Sequence, residues 1–150
     1  MITSIVPLRP SGAFIEVGIG LSFADAQAQR QAGKPMPPAA KVMALIDTGA
    51  EASAVDAKVL TPLYNLGIQP TRFVFVNVGA VGAGPIPEYP VTLSIGTTPG
   101  SRRAGLTLRN QAMLAHDLAP LGYQAVLGRD VLSHCMLIYD GPGQSVTLAY

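Results

Sequence analysis

The sequence predicts an all-β domain with a single core and one or two short helices, and three observations predict it. Sixteen glycines and 13 prolines, 29 of 150 residues, punctuate the chain at short intervals. That spacing suits short strands and tight turns rather than long helices. The chain is 49% apolar and 13% charged, against a usual charged share of ~25%, so it can bury a core and is not a disordered chain. Its apolar residues come in short alternating or continuous runs, far below the ~20 residues of a membrane-crossing helix. A length of 150 residues suits one domain, spanning 1–150.

Residues 13–22 partly alternate apolar with small or polar side chains and read as a strand bent at its glycines. Phe23 to Ala32 can make two or three helical turns, and the three prolines between Gly33 and Pro38 make a loop. The 23–40 segment is long for a hairpin connection and reads as a loop insertion. Lys41 to Asp47 is a nearly continuous apolar run ending on an acid: a buried strand that delivers Asp47, followed by a tight turn at Thr48-Gly49-Ala50. Residues 56–66 suit a short helix capped by Asp56. Arg72 to Val78 and Glu88 to Ile95 are strands joined by the glycine-rich tip Gly79 to Pro85, together a long hairpin. Gly96 to Arg103 is a polar turn, and 104–115 holds one or two strands. Ala125-Val126-Leu127 is a short buried strand that opens into a short helix over 128–134, and residues 135–149 form a final hairpin.

The balance of charge excludes several functions. Ten Lys and Arg against nine Asp and Glu leave a net charge of +1, with no electrostatic footprint for nucleic acid or an anionic membrane. One cysteine and two histidines leave no disulfide framework and no multi-cysteine metal site, so neither metal nor cofactor is expected. Met1 to Pro10 has no basic region followed by an apolar stretch, and the lone Cys135 suits a reducing compartment, so a cytoplasmic location is expected.

The acids are few enough to weigh singly. A carboxylate at the end of a buried apolar strand needs a reason, because removing it from water costs several kcal/mol. Asp47 in Leu45-Ile46-Asp47-Thr48-Gly49-Ala50 is such a carboxylate. Taken alone, the triplet suits an Asp that caps its own turn. Its context is more specific: a glycine-rich hairpin tip follows, then Val126-Leu127-Gly128-Arg129-Asp130-Val131-Leu132. This ordered set resembles the retropepsin-like aspartic proteases, whose pattern is two apolar residues, Asp-Thr/Ser-Gly-Ala, a flap hairpin, then two apolar residues, Gly-Arg-Asn/Asp and a short helix. The resemblance spans roughly Arg9 to Leu132, and Leu8-Arg9-Pro10 looks like the start of the viral members. The insertion at 23–40 and the long terminal hairpin depart from the viral form and look more like the cellular and bacterial members.

The resemblance implies a small closed acid-protease β-barrel with a flap, acting as a homodimeric endopeptidase on peptide or protein substrates. The chain carries one Asp-Thr-Gly and lacks the length for a second lobe, so the catalytic pair would be Asp47 from each of two chains on a two-fold axis. Thr48 would reach across that axis and Gly49 would let the backbone approach substrate. Ala50 and Glu51 would line the cleft, and Ala80, Val81 and Gly82 would form the flap tip. Glu51 stands where the viral enzymes have Asp, and Arg129 is its natural ion-pair partner. A second reading of the same residues is a catalytically silent dimerisation or peptide-binding domain of the same fold.

Other groupings are weaker. Ser133, His134 and Asp140 lack a nucleophile elbow, and Cys135 enters an apolar strand that suits an inert thiol. Glu16, Glu88, Asp25 and Asp56 read as solvated strand, loop or cap residues. The terminal hairpin 135–150 is expected to dimerise through one apolar face made of Met136, Ile138, Val146 and Leu148, with Ile2 to Leu8 mattering less.

Overall fold

The structure, a computed structural model, describes residues 1–75, 84–96 and 105–150. Among them the chain runs β1 (Thr3–Arg9), β2 (Gly12–Leu21), α1 (Phe23–Gln31), β3 (Ala40–Ile46) and β4 (Ala54–Asp56). A 3₁₀ turn over Ala57–Leu60 leads into α2 (Thr61–Asn65), followed by β5 (Arg72–Phe75), β6 (Pro85–Ile95) and β7 (Leu106–His116). A second 3₁₀ turn at Ala119–Leu121 precedes β8 (Ala125–Leu127), α3 (Arg129–Leu132), β9 (Met136–Asp140) and β10 (Ser145–Ala149).

Six strands close into a barrel. In the sheet, β6, β7, β4, β8, β3 and β2 are successive neighbours, and β2 pairs back onto β6. Closure removes the edges an open sheet would leave. The alternation read in β2 is realised: Ala13, Ile15, Val17, Ile19 and Leu21 all point inward and Glu16 outward. Of these, Ile15, Val17, Ile19 and Leu21 meet Val42 and Ala44 of β3, Val91, Leu93 and Ile95 of β6, and Leu127 of β8 in one core.

Two pairings are parallel: β3 with β8 (Ile46 opposite Leu127) and β4 with β7 (Ala54 opposite Leu114). They decide where the site lies. Parallel neighbours end at the same end of the sheet, so Asp47, after β3, and Gly128, after β8, emerge side by side.

The helix expected from the Ala/Gln tract is present as α1. Ser22 caps it, accepting from Asp25 N at 3.1 Å, and Ala26 buries against the core. The Arg109 guanidinium of β7 lies 5.2 Å from the centre of the Phe23 ring, a cation–π contact that pins the helix start to the barrel.

The terminal hairpin forms as expected, but the register corrects its expected face. Leu148 lies opposite Leu137 and Val146 opposite Tyr139, whereas Met136 and Ile138 lie opposite Ala149 and Thr147. Directly opposed residues share a face, so the four apolar residues divide between two faces. Val146 (3% exposed) and Leu148 (0%) belong to the chain's own core, while Met136 (55%) and Ile138 (51%) face outward beside Ile5 (69%) of β1. Within the chain, β1 pairs with β10 from Thr3 to Pro7.

The hairpin expected to carry a flap is described only in its arms, β5 and β6, paired from Arg72–Glu88 to Phe75–Pro85. Ala80, Val81 and Gly82 lie outside the described residues. The base is latched where Arg72 Nε and Nη2 donate to Glu88 Oε1 and Oε2 at 2.9 and 3.3 Å. Glu88 is therefore buried and paired, not solvated.

Candidate active site

Asp47 leaves β3 with its backbone N–H still donating to Leu127 O at 3.0 Å. The chain then turns at once. Gly49 N donates to Asp47 Oδ1 at 2.8 Å and Ala50 N to Asp47 O at 3.3 Å. This is the Asx-type turn the triplet alone suggests, and it leaves Asp47 Oδ2 with no protein partner among the described residues. A Cβ at position 49 would stand 3.1 Å from Asp47 Oδ1, so glycine keeps the turn close to the carboxylate. Asp47 itself is partly exposed: the strand carries a carboxylate to the surface end of the barrel without burying its charge.

The 128–131 segment supports this loop from beneath. A Cβ on Gly128 would lie 2.7 Å from the Ala52 carbonyl carbon and 3.0 Å from Ala50 O. Only glycine permits so close an approach of two backbones. Arg129 N donates to Ala50 O at 2.9 Å, and Arg129 Nη1 donates to Thr48 O at 3.1 Å and Gly49 O at 3.4 Å. The structure thus brings Thr48, Gly49, Ala50 and Arg129 together with Asp47. It corrects one expectation: Arg129 binds backbone carbonyls of the Asp47 loop and forms no ion pair with Glu51, whose side chain is exposed. The loop carbonyls converge on the guanidinium fork and supply the acceptors that Glu51 was expected to provide.

Two residues that the sequence did not single out complete the support. Ser53, 0% exposed, donates from Oγ to Asp130 Oδ1 at 2.6 Å and from N to Asp130 Oδ2 at 3.1 Å, and accepts from Gly128 N at 2.9 Å. Gln111 of β7 reaches the same carboxylate, Nε2 to Oδ2, at 2.8 Å. Asp130 also accepts from Val131 N at 2.9 Å. The available signal was a serine between alanines at a position the strand pattern buries. Gln111 gave none, since in β7 it reads as one more outward polar residue.

Asp56 was expected to be a solvated cap. It is a cap, and it is 5% exposed. Its oxygens accept from Lys58 N, Leu118 N and Ala119 N, each at 3.0 Å. Burial pushes the Asp56 carboxyl up, but the three N–H donors and the Lys58 ammonium outweigh burial and hold it below its ordinary value of 3.8. Burial pushes the Cys135 thiol up, which keeps it protonated and a poor nucleophile. Ser133 Oγ donates to Asp130 O at 2.9 Å, so it forms the last turn of α3 rather than part of a triad. Among the described residues no helix is long and apolar enough to cross a membrane.

No protein-family model and no curated protein matches the sequence. The fold does have a match among solved structures. The chain is similar to a retropepsin-like aspartic protease from Rickettsia conorii, with a TM-score of 0.62 and 16% identity over 99% of this chain and 91% of that one. The expected fold is therefore the observed one: a retropepsin-like, mostly β architecture with a closed barrel and few short helices.

Proposed function

We propose that this chain is an aspartic endopeptidase whose active site forms between two copies of it, each contributing Asp47. The observation that carries the reading is the Asp47 turn: a carboxylate at the end of a barrel strand, one oxygen held by Gly49 N–H and the other without a protein partner among the described residues, on a loop braced by Gly128 and Arg129. The fold likeness supports the same reading.

Two such carboxylates facing each other at ~3 Å hold one proton between them, because both cannot carry charge at that distance. The ionised member takes a proton from water as the water oxygen bonds to the scissile carbonyl carbon. The protonated member gives its proton to the carbonyl oxygen. Collapse of the resulting diol breaks the C–N bond, the nitrogen leaves with a proton from the pair, and a carboxyl and an amine result. Thr48, exposed beside the acid, is the residue to hydrogen-bond the partner's loop. Ala50 and Glu51 line the cleft. The outward face of the terminal sheet, with Ile5, Met136 and Ile138 exposed, supplies the apolar contact between the copies.

The direct test is cleavage of a peptide library by the purified chain, with the rate followed against pH. One shared proton requires a bell-shaped profile with its optimum on the acidic side of neutral. A flat rate from about pH 4 to about pH 8 would exclude a carboxylate pair. Sedimentation should find a dimer. Ile138→Glu should shift it to monomer and remove activity while circular dichroism stays unchanged. An Ile138→Glu protein that remains an active dimer places the interface elsewhere. A wild-type protein that binds peptides but never cleaves them is the silent binding domain.

A further inference from the structure

Asp130 draws four protein donors onto one carboxylate. Oδ1 accepts from Ser53 Oγ (2.6 Å) and Val131 N (2.9 Å), and Oδ2 accepts from Ser53 N (3.1 Å) and Gln111 Nε2 (2.8 Å). These come from three separate parts of the chain: the end of the Asp47 loop, the start of α3, and β7. Ser53 passes the restraint on, since its Oγ accepts from Gly128 N. Gly128 in turn lies so close to Ala50 and Ala52 that a Cβ there would collide with the Ala52 carbonyl. The path from Gln111 to the Asp47 turn is therefore a continuous series of hydrogen bonds and backbone contact. Its far end is on β7, the strand that pairs with the longer flap arm, Gln111 opposite Val91.

Each link has a specific chemical reason. A carboxylate is the one side chain that can accept four donors at once, and Ser53 both donates and accepts. Gln111 fixes the carboxylate plane from the side the loop does not cover. Gln111 is partly exposed at the rim of the strand face it shares with Met113 and Ala115, opposite Val91, and its Nε2 also donates to Ala112 O at 2.9 Å.

We propose that Gln111 and Asp130 are positioning residues for Asp47, holding the 47–53 loop in register with Gly128 through Ser53. The inference rests on the endopeptidase reading for its catalytic consequence, but not for its structural one.

The test uses the full chain with Gln111→Ala and Gln111→Glu, the second setting a carboxylate against a carboxylate. Both substitutions are at a partly exposed strand position, and circular dichroism should report a folded protein. Two readouts are taken. The first is backbone amide exchange: in Gln111→Ala the Ser53, Gly128 and Gly49 amides should exchange about tenfold faster, and in Gln111→Glu faster still, while Val17 and Val91 in the barrel keep their protection. The second is steady-state kinetics: kcat should fall between about tenfold and a hundredfold with KM within about twofold, the pattern of a misplaced catalytic group. Unchanged exchange at Ser53, Gly128 and Gly49 overturns the inference, whether or not the protein cleaves peptides. So does an exchange increase spread evenly over the barrel, which marks a loss of global stability alone. So does wild-type kcat in both variants. A wild-type chain that cleaves nothing overturns the endopeptidase reading, and the exchange data then decide this inference alone.

Discussion

Asp47 and Asp56 stand at the ends of neighbouring segments of one barrel, and their surroundings are opposite. Asp56 is buried, and its two oxygens take three backbone N–H donors. Asp47 is partly exposed, and its carboxylate takes one, from Gly49. The Asp56 carboxylate is spent on structure. It ties the 3₁₀ turn after β4 to the chain entering the turn at Ala119. The Asp47 carboxylate is held by its turn through Oδ1, and its Oδ2 has no protein partner among the described residues. The difference teaches that burial and committed lone pairs run together here: the buried acid takes three backbone donors and the partly exposed one takes one among the described residues, as the proposed reading requires of a structural and a chemical carboxylate.

Substitutions can break that contrast. The largest effect should come from Asp47→Asn, which lowers kcat by about 10⁴-fold, the upper end for loss of a general acid–base group, with the melting temperature unchanged or higher. A variant that still turns over in a pure sample ends the assignment. Asp56→Ala should behave in the reverse way. Three N–H groups lose a charged acceptor, which costs about 3 kcal/mol and lowers the melting temperature by roughly 6–12 °C. The folded fraction should keep its kcat; if kcat falls with stability, the two acids are not separable.

Acid sharpens the comparison further. The Asp56 carboxyl is held below its ordinary value in the folded chain. Its contribution is therefore complete above the unfolded value of ~3.9 and is lost as pH falls through the lower folded value. Stability should hold at the mildly acidic pH where a proton-sharing pair works best, and decline only below it. In Asp56→Asn that acid-dependent part of the decline should be missing from denaturant melts taken as a pH series. The smallest effect belongs to Glu51→Gln. With Arg129 bound to loop carbonyls instead, stability should move by no more than about 0.5 kcal/mol in a urea melt. A larger loss would restore the ion pair expected from the sequence.

What the sequence made legible follows from what is local in it. Short-range patterns fixed the strands: alternation in β2, the apolar run into Asp47, and the Asp-Gly-Pro-Gly turn between β9 and β10. The glycines of the Asp47 turn and of Gly128 were legible because close backbone approach admits little else. Facing across strands was not legible. Met136 and Val146 each alternate correctly along their own strands, but only the pairing register puts them on opposite faces. Arg129 has carbonyl and carboxylate acceptors nearby, and composition cannot choose between them. Ser53 and Gln111 meet at Asp130 only because β4, β7 and α3 converge there, which no spacing along the chain reports.

The parallel pairing of β3 with β8 has a temporal consequence. Asp47 leans on Leu127, Thr48 on Arg129 and Ser53 on Asp130, partners separated by 81 positions in the Thr48 contact and 77 in the Ser53 contact. A chain still being synthesised has its Asp-Thr-Gly long before it has anything to set that turn against. Contacts of such sequence separation are also the slow ones to form. The loop that carries Asp47 therefore acquires its shape only after α3 has left the ribosome, and the barrel's own connectivity delays an organised turn until β8 and α3 have been made.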